Sequence, residues 1–135
     1  MKEIKSISIE PHVRELLSFA TSEKNVDKEY ELYMHSPVRE LYGYDSEEEI
    51  IGCIGIDFLS QNRCEIKHIA VSKNHRGVGI GSKMISFIWK KYSLSFMFAE
   101  TDIDAVNFYE NYGFKITRLG EKYPGVERFL CILEG

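Results

Sequence analysis

Positive charge is in deficit in this sequence: 17 lysines and arginines stand against 21 aspartates and glutamates, a formal net charge of −4. No global positive field draws the chain to a nucleic-acid backbone or an anionic membrane, and neither is expected as a partner. Long apolar stretches are missing too. The longest, Met84-Ile-Ser-Phe-Ile-Trp89 even with Ser86 forgiven, falls far short of the ~20 residues that span a bilayer. The opening residues, MKEIKSISIEPH, lack the apolar segment of a secretory signal, so the expected address is cytoplasmic. Cysteine is scarce and odd in number. Cys53, Cys64 and Cys131 show no CxxC and no Cys/His ligand spacing, and each sits in an apolar run, which predicts reduced, buried thiols and no metal site. Repeats, low-complexity tracts and Pro/Ser-rich linkers are also absent. With 135 residues, 44% of them apolar and 28% charged, the chain is expected to form one domain over residues 1–135.

The patterning that is present predicts an α/β (α+β) fold. A short strand is expected at about 3–8, then a helix opened by Pro11 with Val13, Leu16, Leu17 and Ala20 at helical spacing, then a helical stretch over about 24–34. Residues 39–58 read as two β-rich segments around the acidic turn Glu47-Glu48-Glu49, and 63–71, RCEIKHIAV, as a third strand. From Ile80 the apolar residues Ile80, Met84, Ile88 and Tyr92 recur every four positions, one face of a helix against a sheet. Residues 94–100, LSFMFAE, resemble a strand covered on both faces. A short helix over about 103–112 with Ala105, Phe108, Tyr109 and Tyr112 inward, capped by Asp102 or Asp104 and ended by Gly113, precedes two last strands, 114–117 and 126–133. This order predicts a mixed sheet with helices on both faces.

Between the strand ending at Val71 and the helix beginning near Ile80 lies NHRGVGIGSKM, residues 74–84, with three of the chain's ten glycines at every second position. Free N–H groups at a helix N-terminus make an anion site, and glycine lets a phosphate approach the backbone without meeting a Cβ. Arg76 can add a charge-assisted bond. The spacing excludes a P-loop, because Gly81 is followed by Ser82-Lys83 and the glycine four residues before it is Gly77. It also excludes the Gly-x-Gly-x-x-Gly dinucleotide fingerprint, since the loop gives Gly-x-Gly-x-Gly after antiparallel strands.

Two segments together make the chain similar to the GNAT superfamily of acyl-CoA-dependent N-acetyltransferases. Ile69-Ala70-Val71 followed by Arg76-Gly-Val-Gly-Ile-Gly81 resembles the family's Arg/Gln-x-x-Gly-x-Gly/Ala loop, and Ala105-Val-Asn-Phe-Tyr109-Glu-Asn-Tyr-Gly-Phe114 its Ala-x-x-Phe-Tyr-x-x-x-Gly-Phe segment. With the element order, the resemblance covers nearly the whole chain and is weakest over residues 1–38. It implies a mostly antiparallel twisted sheet of about six to seven strands with about four helices, and splayed central strands that form a CoA cleft. It further implies that Arg76, Gly77, Val78, Gly79, Ile80, Gly81 and Ser82 cradle the CoA pyrophosphate. Ile69, Ala70 and Val71 would pair through their main chain with the pantetheine arm. Acetyl-CoA is the implied cosubstrate, an amine the acceptor, and a homodimer is compatible with the family.

Acetyl transfer to an amine requires a deprotonated nitrogen, a polarised carbonyl and a protonated leaving thiolate. Tyr109 matches the family tyrosine that serves the CoA sulfur. Glu65, six residues before Val71, stands where several family members carry a general-base glutamate; strand alternation places it on one face with Lys67, Ile69 and Val71, so an ordinary Glu65–Lys67 pair is the competing reading. His68, on the opposite face, and His75 are further base candidates. Asp102 replaces an asparagine that touches the pantetheine in many members; it can accept from an amide but not donate, and can instead cap the helix. For the acceptor, the resemblance points to the region near 20–38 and the loop expected at 118–126, with Tyr30, Tyr33, His35, Tyr123 and Arg128 as candidates. The leading reading is an acetyl-CoA-dependent N-acetyltransferase acting on a primary amine of a small molecule or protein by direct transfer in a ternary complex. The alternative is a non-catalytic CoA-binding sensor on the same fold.

Overall fold

A computed structural model describes all residues, 1–135. Seven strands form one sheet in the order β1-β2-β3-β4-β5-β7-β6, where β1 is Lys2–Glu3, β2 Arg39–Ser46, β3 Glu49–Ser60, β4 Arg63–Val71, β5 Phe96–Thr101, β6 Lys115–Tyr123 and β7 Val126–Glu134. Four α-helices flank it: α1 (Pro11–Ala20), α2 (Val26–His35), α3 (Ile80–Lys91) and α4 (Val106–Tyr112). All neighbouring strands are antiparallel except β4 and β5, which α3 joins as a crossover. The mixed sheet with helices on both faces expected from the sequence is therefore present.

The core lies in two layers. Ile54, Ile56, Cys64 and Ile66 face α3 and α4 with Met84, Ile85, Ile88, Met97 and Tyr109. Cys53 and Ala70 face α1 and α2 with Val13, Leu16, Leu17, Tyr30 and Tyr33. β3, buried on both faces from Ile51 to Ile56, shows why its sequence is nearly unbroken in apolar residues. All three cysteines are buried free thiols. No helix is long and apolar enough to cross a membrane.

Three element boundaries differ from the sequence reading. The first strand shrinks from 3–8 to Lys2–Glu3, because pairing with β2 ends there apart from one last bond from the Ile4 amide to the Leu41 carbonyl, and farther on the Ser6 carbonyl accepts from the Tyr30 hydroxyl instead. The last helix starts at Val106 rather than 103, since Asp102 draws the preceding amides into a turn. The loop expected at 118–126 is mostly strand: β6 extends to Tyr123 and β7 resumes at Val126, leaving a tight turn.

Candidate functional site

The parallel ladder between β4 and β5 runs only from Arg63↔Phe96 to Glu65↔Phe98 and then stops. Beyond it β4 stays paired to β3, and β5 to β7. The inner edge of β4 from Ile66 to Val71 is thus without a neighbour, roughly 17 Å of unpaired main chain at the usual strand rise. An open edge of this kind offers its N–H and C=O groups to a partner strand or ligand.

A bulge contributes to the parting. Gly55 pairs with His68 while Ile56 pairs with Ile66, so Lys67 is an extra residue in β4. It also inverts the alternation. Glu65 pairs with Asp57 on the α2 side of the sheet, whereas Ile69 and Val71 pack on the α3 side. The sequence expectation that Glu65, Lys67, Ile69 and Val71 share a face is corrected here; Glu65 shares its face with His68. Glu65 is half-buried, lies 3.7 Å from the Lys67 ammonium, and holds the last paired position before the strands part.

At the far end of the free edge, the loop after Val71 leads into α3. No amide from Arg76 to Ser82 donates to a main-chain carbonyl; the first bond of the helix is Lys83 N–H to Gly79 O. Gly77 and Gly79 have φ of 80° and 88°, the left-handed region that turns successive amides toward one point. Gly81 has another reason to be bare: a Cβ there would sit 2.9 Å from the Phe108 ring, so α3 and α4 could not approach as closely. The Arg76 Nε donates to Val71 O at 2.9 Å.

These parts enclose a cleft of about 460 Å³. Its walls include Ile69, Ala70, Val71, Arg76, Gly77, Gly79, Ile80, Gly81, Ser82 and Tyr109, residues the sequence had singled out. Val78 is exposed at the loop tip and outside the lining. Asp102 is outside it too: its carboxylate accepts from the amides of Asp104 at 3.0 Å and Ala105 at 3.2 Å, the capping alternative. Phe19, from α1, lines the cleft and was missed, because nothing in the spacing of a surface helix residue announces a loop fifty residues away.

Tyr109 is buried between Phe108 and Phe114, each ring edge-on with centroids 5.2 Å away. Burial pushes its phenol pKa upward, so the hydroxyl keeps its proton at neutral pH. On the α2 face, His68 Nδ1 lies 2.5 Å from the Tyr33 hydroxyl and Nε2 3.6 Å from Glu29. Burial lowers its pKa to about 4. The ring is then neutral at pH 7, with Nε2–H assigned toward Glu29 and Nδ1 accepting from Tyr33. Arg39 closes the network onto Glu29 and Asp57. Among the acceptor candidates, Arg128 pairs with Glu100, the Tyr30 hydroxyl donates to the Ser6 carbonyl, His35 pairs with Glu31, and Tyr123 is exposed on the β6–β7 hairpin.

The family model for the acetyltransferase (GNAT) domain matches residues 37–116, more than half of the chain. An uncharacterized N-acetyltransferase in the lysA 3′ region of Bacillus methanolicus is 38% identical over 73 residues; the match covers 52% of this chain and spans only 61% of that relative's length. The crystal structure of a GNAT family acetyltransferase from Elizabethkingia anophelis with acetyl-CoA bound is 25% identical. It aligns over 99% of this chain and 96% of its own, with a TM-score of 0.76. An aminoglycoside 6′-N-acetyltransferase complexed with coenzyme A reaches a TM-score of 0.81 over 99% of this chain and 97% of its own at 16% identity, a likeness of fold.

Proposed function

The chain belongs to the GNAT acetyltransferase family, and from that membership we propose that it moves the acetyl group of acetyl-CoA to a primary amine by direct transfer in a ternary complex. The observation that carries this reading is the unpaired main chain along one cleft, the free edge of β4 and the amides of residues 76–82, with Tyr109 in the cleft wall. The amides and Arg76 suit a pyrophosphate, and the β4 edge suits the amide groups of a pantetheine arm. An arm laid from the loop toward the fork brings the thioester near the point where β4 and β5 part.

There the acceptor nitrogen, having lost its ammonium proton, attacks the thioester carbonyl carbon, and the C–S bond breaks as the new C–N bond persists. Tyr109 gives its proton to the departing sulfur and is reprotonated from solvent; the surplus proton on nitrogen leaves to a base. Glu65, at the fork and on the α2 side, suits that base acting through water. His68 suits it less, because burial makes the ring a weak proton acceptor, with its pKa near 4, and its Nδ1 already accepts from the Tyr33 hydroxyl.

The reading is tested by following free thiol released from acetyl-CoA across polyamines, amino acids, aminoglycosides and lysine peptides. Release with at least one amine is expected. CoA binding with no release for any amine would favour the sensor, which needs neither Tyr109 nor Glu65.

A further inference from the structure

The chain has six arginines, and four of them meet carboxylates: Arg14 meets Asp27, Arg39 meets Glu29 and Asp57, Arg118 meets Glu127, and Arg128 meets Glu100. Arg63 and Arg76 instead lie over phenylalanine rings, at 4.3 Å from Phe96 and 5.0 Å from Phe19. Of these two only Arg76 borders the cleft. Its Nε is engaged by the Val71 carbonyl and one face by the Phe19 ring, which leaves both terminal nitrogens without an acceptor. Lys73, also without a carboxylate partner, reaches the same ring at 5.5 Å. A cation fixed along one edge and one face, next to a run of free amides, is prepared for an anion.

We infer that Phe19 is a positioning residue for the cofactor: its ring holds the Arg76 guanidinium so that the terminal nitrogens face the pyrophosphate. The inference rests on the proposed acetyl-CoA reading and extends it to α1, which lies outside the matched residues 37–116. Attraction between the ring face and the cation fixes a side chain that would otherwise lose its rotamer freedom on binding. Phe19 is 38% exposed, so packing within α1 does not by itself account for an aromatic there.

A double-mutant cycle on the CoA dissociation constant, measured by calorimetry, tests this. Phe19→Leu, which keeps apolar bulk but removes the ring, is expected to weaken CoA about three- to tenfold. In an Arg76→Ala background the same change is expected to cost less than about twofold, and Phe19→Trp to retain wild-type affinity. Equal losses with and without Arg76, or no loss in Phe19→Leu, would overturn the positioning role. A wild-type protein that binds no CoA would instead remove the functional reading beneath it, so the two failures are distinct.

Discussion

Tyr109 combines two properties that a thiolate-directed acid needs. Burial against Phe108 and Phe114 keeps the phenol protonated, and the side chain still lines the cleft. Tyr109→Phe keeps the packing and deletes the proton, so kcat is expected to fall roughly a hundredfold while the CoA dissociation constant stays near wild type; unchanged turnover by thiol release would remove the role. His68 bears on stability instead. Its pKa is about 4 when folded and near the ordinary histidine value of 6.5 when unfolded, so between these values the unfolded chain holds the extra proton. Stability therefore rises with pH across that window and is lost as pH falls, by up to about 3 kcal/mol once the pH is below the folded value. Glu40, whose pKa burial and Glu3 raise to about 7, acts in the opposite direction. The difference between wild type and His68→Gln isolates the histidine: urea midpoints at pH 7 and pH 4.5 should change less favourably for wild type on acidification, and parallel behaviour would refute the assignment.

At the scale of elements, α2 is latched to the β4 bulge. The Tyr33 hydroxyl reaches His68 only because the residue opposite His68 is Gly55, where a Cβ would stand 2.0 Å from that oxygen. Gly55→Ala is expected to cost about 1–3 kcal/mol, read as a lower thermal midpoint, since Tyr33 must leave its place. Little of this was legible in the sequence. The loop and helix start at 76–82 could be read because their chemistry is consecutive: glycines, an arginine and a helical repeat lie within one short segment. The bulge at Lys67 could not, because it is settled by how β3 and β4 align, and it reversed the face of Glu65. Phe19 and Gly55 were silent for the same reason, each taking its meaning from a partner far along the chain. The β6–β7 hairpin was read as too short because β6 is largely exposed and lacks the apolar run by which a strand announces itself.

For the whole molecule, the sheet is two antiparallel blocks, β1–β4 and β5–β7, whose shared ladder covers three residue pairs. A ligand lying along the open edge of β4 is expected to bind the folded chain alone, so acetyl-CoA should raise the thermal midpoint. At a hundredfold excess over its dissociation constant the gain is about 2.7 kcal/mol, several degrees for a chain of this size. No shift at millimolar acetyl-CoA would count against the cofactor assignment. On the acetyl-CoA reading, Arg76 and Lys73 would offset the net charge of −4 beside an anionic cofactor, and added salt should weaken binding.

The short ladder between β4 and β5 also bears on how long the protein survives. A seam of three residue pairs is where a sheet first gapes, and a gaping sheet is what a protease cuts. On the proposed reading, a cofactor docked along that seam would act as a removable strand, so the protein's resistance to digestion should follow the surrounding supply of acetyl-CoA. Scarcity of the donor would then lower the abundance of the protein as well as its turnover.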